Sequence, residues 1–235
     1  MGKRFKGMTC AYCGEPGISS TGDHVIPRQF VPEHLRANLP QVAACASCNN
    51  AKSIDEHYLA TVLPFGGNHP ESSAMLVRDV PSRLQKNRKL HRALAEGQGQ
   101  IQLNEDGVIA SSMTLTVETE RIIRFARRVI QGLHAHHWGP IPKATWVGAG
   151  VLAPTGVEFH HKLMEMGGVR LRGDIGGGLF SYAALRSFDS PYLSAWWLRF
   201  FGGVALGGDS DLPAYVSRDL YGLVATTPLP EMFGG

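Results

Sequence analysis

Cys10-Ala11-Tyr12-Cys13, Gly22-Asp23-His24-Val25-Ile26-Pro27 and Cys45-Ala46-Ser47-Cys48-Asn49-Asn50-Ala51-Lys52 are the stretches that decide how this chain folds. The two Cys-x-x-Cys pairs contain every cysteine in the sequence. Two residues between paired ligands let a tight turn set both sulfurs on one ion. A structural zinc ion wants four such ligands at tetrahedral corners, with Zn–S near roughly 2.3 Å. One site therefore uses every thiol. Disulfides are the rival account, but the chain opens Met1-Gly2-Lys3-Arg4-Phe5-Lys6, without an apolar leader. That opening predicts a cytoplasmic protein, where thiols stay reduced and paired motifs of this kind bind metal. A thioredoxin-like redox pair would need a strand–helix context that is missing here.

Working outward, residues 1–53 carry six Lys/Arg against three acids, while the remainder carries seventeen of each, so the whole net charge of +3 sits on the cysteine-bearing segment. A polyanionic partner fits that bias; ordinary surface charge is the bland alternative. A hydrophobic share of 43% and a charged share of 18% describe a globular chain. Its most apolar run, Ala195 to Phe201, is interrupted by Arg199 and too short to span a bilayer. No membrane role is expected.

The segment to about residue 53 has too few large apolar side chains for its own core, and a metal staple would supply what is missing. Asp23 to Ile26 reads as a strand ended by Pro27, and Leu39 to Ala44 as a second. Ala46 to Ser53 reads as a helix with Ser47 as its N-cap. Ile54 to Phe65 reads as a further helix, and Pro64 to Asn68 breaks it. The expected division is therefore a unit of residues 1–65 and a larger mixed unit of residues 66–235, an α+β chain overall. In the second unit, a helical region spans residues 70–95, interrupted at Pro81. A hairpin turns at Asn104-Glu105-Asp106-Gly107, and an amphipathic helix covers residues 118–137. Strands follow at Trp146–Leu152, Leu179–Ala184 and Trp196–Leu206.

The Asp-His pair inside a cysteine-stapled strand–strand–helix resembles the HNH nucleases of the zinc-bearing ββα-metal type, over residues 10–53. The signature positions would be His24, Asn38 and Asn49, with asparagine at the last where a second histidine is common. Cys45-x-x-Cys48-Asn49-x-x-Lys52 fits the zinc-bearing branch. The resemblance implies DNA cleavage to 5′-phosphate and 3′-hydroxyl ends through one catalytic ion. It also implies that Asn38 pins the loop between the strands and so orients the histidine.

The chemistry can be built from the residues too. Phosphodiester hydrolysis needs a nucleophile made near neutral pH, and an imidazole at His24 titrates in that range. Asp23 and Asn49 offer oxygen ligands for Mg²⁺ or Mn²⁺, with Asn50 the immediate competitor of Asn49. Asp23 and His24 are neighbours on a strand and so point to opposite faces, which a bend permitted by Gly22 would reconcile. Arg28 and Lys52 are the expected phosphate contacts. The run Arg83, Lys86, Arg88, Lys89 and Arg92 is either a solvated helix face or one that tracks phosphates. His134, His136, His137, His160 and His161 read as structural or surface histidines, Trp196-Trp197 as core, and Gly176 to Gly178 as carrying no phosphate loop. The leading function is a metal-dependent endonuclease. The rivals are a non-catalytic, zinc-stabilised nucleic-acid-binding module and a protein-interaction treble clef. For the enzyme, residues 66–235 would shape substrate choice or oligomerisation.

Overall fold

The computed structural model of the chain describes residues 4–105, 108–207 and 216–228. Strands β1 (Thr21–His24) and β2 (Gln41–Ala44) pair antiparallel, with His24 opposite Gln41 and Thr21 opposite Ala44. Helix α1 (Ala46–Val62) follows directly. It is one helix rather than the expected two, because Ala46, Ala51, Leu59 and Ala60 favour helix and nothing before Pro64 removes a donor. Cys45 takes the N-cap position. The Ser47 hydroxyl turns instead to Cys45 Sγ, 3.2 Å away.

Three short helices come next: α2 (Pro70–Arg78), α3 (Val80–Lys86) and α4 (Arg88–Glu96). The breaks fall at Asp79 and Asn87, not at Pro81, which occupies the first turn of α3, where its missing N–H is no loss. A hairpin of β3 (Gln98–Glu105) and β4 (Val108–Leu115) carries the chain to α5 (Thr119–Trp138). The Asp106-Gly107 pair of the expected turn lies outside the described residues, as do Met1, Gly2 and Lys3.

The rest is a sheet with one helix laid on it: β5 (Trp146–Gly150), α6 (Pro154–Glu165), β6 (Val169–Ile175), β7 (Phe180–Arg186), β8 (Ser194–Phe200), the short pair β9 (Leu206–Gly207) and β10 (Val216–Ser217), and β11 (Leu220–Ala225). Five strands run antiparallel in the order β5-β11-β8-β7-β6. The apolar run expected to continue to Leu206 stops at Phe200. Phe201 (φ 51°) and the glycines after it turn the chain. The α+β class holds, with a small cysteine-bearing unit ahead of a larger mixed region.

Side chains alternate across this sheet, as a strand period of two requires. Trp196, Leu198 and Phe200 of β8 and Phe180 and Ala184 of β7 face inward onto Phe125, Val129, Ile130 and Leu133 of α5. The approach is close: a Cβ at Gly222 on β11 would stand 2.1 Å from Ile130 Cδ1. The same core continues into the cysteine-bearing segment. Phe30 packs 5.4 Å from both Phe125 and Phe201, ring centre to ring centre. Gly132 of α5 leaves room for Val25, where a Cβ would sit 2.8 Å from Cγ1. The loop just after His24 is thus anchored on the main core.

Candidate active site

Cys10 and Cys13 lie on a turn before β1, and Cys45 and Cys48 at the junction of β2 with α1. Their four sulfurs are all within 4.8 Å of one another, and none is in a disulfide. Backbone geometry makes the knuckle. Gly14 N–H donates to Cys10 O at 2.9 Å, and Cys45 N–H points at Cys10 Sγ at 3.4 Å. Four thiols packed this tightly do not titrate alike. Burial resists ionisation at Cys45, yet the Ser47 hydroxyl and the Cys48 amide draw it down to about 6. Burial and the neighbouring Cys45 push Cys48 up to about 12. Four soft donors at this separation fit a tetrahedral zinc ion.

From that staple, β1 delivers Asp23 and His24 to opposite faces. Asp23 turns toward α1 and meets Lys52 Nζ at 2.9 Å. The Tyr12 hydroxyl also donates to it. Lys52 is not the surface cation expected from sequence. It is 1% exposed, donates to His24 O at 2.8 Å and also pairs with Glu56. A buried ammonium must be paired, and two carboxylates with a carbonyl do so here. Burial raises Glu56 despite the Lys52 charge, and burial and then Asp23 raise Tyr12. Both Asp23 contacts fall on Oδ2, and Oδ1 accepts no hydrogen bond among the described residues.

His24 is half-buried on the other side, beside Gln41, its partner in the hairpin register. Gln41 Nε2 lies 2.9 Å from His24 Nε2. Burial, then the charge of Arg28, lower the imidazole below 6.5, with Asp23 pulling the other way and Lys52 adding to the drop. Arg28 itself is exposed and has no acidic partner among the described residues. Asn49 lies half-buried in the first turn of α1, one turn before Lys52, whereas Asn50 is exposed. Its carboxamide carries no hydrogen bond among the described residues. Asn38 stands apart from this group. It is exposed, at φ 64°, a left-handed conformation that asparagine tolerates. The loop is pinned by Arg36 instead, whose Nε donates to Val31 O at 2.8 Å and Arg28 O at 3.0 Å.

Several participants were not read from sequence. Tyr12 sits inside the first cysteine turn and carried no signal there. Glu56 stands at i+4 from Lys52, a helical pairing distance that could have found it. Arg128 of α5 reaches Tyr12 O at 3.2 Å and Cys48 Sγ at 3.8 Å, bringing a cation to the thiol cluster. Arg124 clasps Asp55 of α1 through two contacts, at 3.0 and 3.2 Å. Arg83, the first residue of the basic run, donates to Ala60 O and, at 3.5 Å, to Gln29 O, while Lys86, Arg88, Lys89 and Arg92 stay exposed. His134 is a core histidine, with its ring nitrogens 2.8 Å from Gly139 O and 3.2 Å from Pro191 O.

Residues 10–54 match the family model described as HNH endonuclease. That span contains both cysteine pairs, the β1–β2 hairpin and the start of α1. No curated protein and no solved structure matches the chain. The segment is similar to HNH domains, and its four-cysteine cluster is consistent with a zinc-stapled version of that fold. Among the described residues, no helix is long and apolar enough to cross a membrane.

Proposed function

We propose that the chain is a metal-dependent endonuclease that hydrolyses DNA phosphodiester bonds with His24 as general base. One observation carries this reading: His24 is a half-buried imidazole held below its ordinary pKa beside an exposed arginine, on a hairpin similar to HNH domains. An imidazole that is neutral near pH 7 can take a proton from water. Asp23, through the Oδ1 that accepts no hydrogen bond among the described residues, and Asn49 would hold a divalent ion such as Mg²⁺ or Mn²⁺, on the α1 side of the strand that presents His24 on its other face. Bound there, such an ion would supply Lewis-acid stabilisation of the charge that builds on the phosphate and its leaving oxygen. Arg28 contacts a phosphate of the strand. Four ligating thiols suit a reducing compartment such as the cytoplasm. Residues 1–65 form the nuclease unit, and residues 66–235 shape what it accepts.

Gln41 selects which ring nitrogen works. A carboxamide nitrogen only donates, so the present orientation makes Nε2 an acceptor and leaves the proton on Nδ1. With the carboxamide turned over, its oxygen accepts a hydrogen bond from Nε2–H and Nδ1 becomes the basic nitrogen. Such flips are exchanges of near-identical shapes.

Plasmid cleavage with Mg²⁺ or Mn²⁺ tests the reading. His24→Ala is expected to lose activity by about 100-fold or more, as for removal of a general base. The acid limb of the wild-type rate should have its midpoint below 6.5, because the base works only when neutral and its pKa is lowered. Nicking undiminished in His24→Ala would overturn the assignment. A non-catalytic, zinc-stabilised nucleic-acid-binding module is the second reading, favoured by the pairing of Asp23 with Lys52. DNA binding without cleavage in either ion would select it.

A further inference from the structure

The outer face of the large sheet, away from α5, holds a cleft of about 680 Å³ between α6 and strands β6, β7 and β8. Its wall includes His160, His161 and Met164 from α6, Arg172 from β6, Ser181 from β7 and Trp197 from β8. That volume lies within the range of pockets that take small organic ligands. Trp197 is the outward neighbour of the buried Trp196 and so is not the core residue its sequence pairing suggested. It remains half-exposed, and the Arg199 guanidinium stands 5.0 Å from its ring centre. Arg199 is itself held by both oxygens of Asp219. The indole is therefore a braced aromatic surface bordering open space.

His160 is the unexplained group. It is 1% exposed and packs edge-on to Tyr221 at 4.9 Å; the Trp196 carbonyl lies near the ring without closing a well-formed hydrogen bond, and both ring nitrogens sit beneath the surface. Buried polar atoms are nearly always paired, so an imidazole without a well-formed hydrogen bond beside a cleft points to a missing partner. Burial holds it down to about 4, with the Trp196 carbonyl opposing and His161 assisting, so it is neutral near pH 7 and offers one donor and one acceptor. Arg172 is exposed at the rim with no acidic partner among the described residues. Its neighbour Asp174 is already engaged by Gly178 N–H and the Ser181 hydroxyl.

A flat aromatic support, a neutral imidazole beneath the cleft floor and a guanidinium with no acidic partner among the described residues suit a ligand with a planar heterocycle and an anionic group. We propose that this cleft binds one unpaired nucleotide, its base against Trp197 over the buried His160 ring and its phosphate toward Arg172. The choice of a nucleotide over other planar anions rests on the nuclease reading above. Stacking of a base on an aromatic side chain tolerates any base and needs the base out of its duplex. The cleft would then give residues 66–235 a role in accepting unpaired or splayed-out positions of a strand.

Calorimetric titration of the full chain tests this, using deoxynucleoside 5′-monophosphates, the corresponding nucleosides, inorganic phosphate, a short single strand and a blunt duplex. Mononucleotides should bind saturably, and more tightly than nucleosides or phosphate alone. Trp197→Ala should weaken them at least fivefold. Arg172→Ala should remove the advantage of nucleotide over nucleoside. His160→Phe keeps the ring contact with Tyr221 and removes the ring nitrogens, so affinity should fall while the melting temperature is kept or raised. Both Trp197 and Arg172 are open to solvent, and their variants carry the test if His160→Phe fails to fold. A single strand binding more tightly than its monomers identifies the source as a strand; equal affinity identifies a free nucleotide. Either supports the site. Absence of saturable mononucleotide binding, phosphate binding as tightly as nucleotide, or affinities unchanged in the Trp197 and Arg172 variants would each overturn it. Plasmid cleavage is run in parallel. His24-dependent nicking without nucleotide binding sinks the cleft alone, and nucleotide binding without nicking sinks the nuclease alone.

Discussion

Residues 10–62 keep their shape around four thiols and a buried ammonium, whereas residues 146–225 keep theirs around the inner face of a five-stranded sheet. In the first region nearly every buried charged group is matched: Lys52 with Asp23 and Glu56, Asp55 with Arg124. The second region buries the Trp196 indole and several phenyl rings and leaves the His160 nitrogens without a well-formed hydrogen bond. A short segment without apolar mass is held by directional bonds, which also aim its polar side chains. A large apolar sheet is held by packing and needs few such bonds. The contrast can be broken most directly with a strong chelator. Structural zinc in small domains is worth on the order of 10 kcal/mol of folding energy. Chelation is expected to strip hydrogen-exchange protection from β1, β2 and α1 while β8 and β11 stay protected. Phe30 would leave the rings of Phe125, Phe200 and Phe201, so the sheet should lose stability without unfolding. Simultaneous loss of protection in both regions would mean that the shared core makes them one cooperative unit.

Lys52→Ala attacks the same contrast without touching the thiols. It leaves Asp23 and Glu56 facing each other in a buried place, and breaking a buried pair in this way typically costs about 3–5 kcal/mol. The urea midpoint should drop accordingly, with cleavage reduced as Asp23 loses its position. A midpoint close to wild type would show that water reaches these carboxylates and that the ammonium is not what holds α1 on the hairpin.

Where the two regions differ in construction, they also differed in legibility. The cysteine spacing, the Asp23-His24 strand and the start of α1 could be read directly, because metal ligands and turn residues are strict about position. The fate of Lys52 could not, since a lysine in the first two turns of a helix reads as solvated until its carboxylate neighbours are known. Asn38 was expected to bond across its loop, and Arg36 does so instead. In the sheet region, α6 and β6 gave no signal. The apolar residues of α6 are broken by Gly156, His160 and His161, and β6 alternates Arg170 and Arg172 with only Leu171 and Ile175 turned toward the core. The cleft is formed by those two elements with β7 and β8, so it too lay beyond reach of the sequence. Trp197 looked like the twin of Trp196, and only strand alternation separates them.

The buried imidazole makes the sheet region acid-sensitive. His160 titrates at about 4 when folded and near 6.5 when unfolded, so the unfolded chain binds the extra proton first as pH falls. Stability is complete above 6.5 and declines between 6.5 and about 4, by about 3 kcal/mol at most. His160→Phe should remove most of that decline while leaving stability at pH 7.5 unchanged or higher. Thermal melts at pH 7.5 and 4.5 check it. An equal acid loss in variant and wild type would place the sensitivity elsewhere and imply that the imidazole is hydrated.

The smallest effect is expected where the two regions touch. Arg124 meets Asp55 through two good contacts, and the Asp55 carboxylate holds the guanidinium above its ordinary pKa. Yet Arg124's side chain is 51% exposed, and Arg121 already stands 3.9 Å from the same carboxylate. Exposed ion pairs contribute little because solvent screens them, about 0.2–1 kcal/mol in measured cases. Arg124→Ala should therefore cost less than about 1 kcal/mol, as Arg121 closes on Asp55 in its place. The double variant Arg121→Ala/Arg124→Ala should cost more than the sum of the singles, because Asp55 then has no cation to meet among the described residues and Tyr58 loses the guanidinium 4.6 Å from its ring. Additive losses would mean that each arginine acts alone. The join between α1 and α5 would then rest on the apolar core and on Arg128, and the two regions would be coupled through the thiol cluster rather than through Asp55.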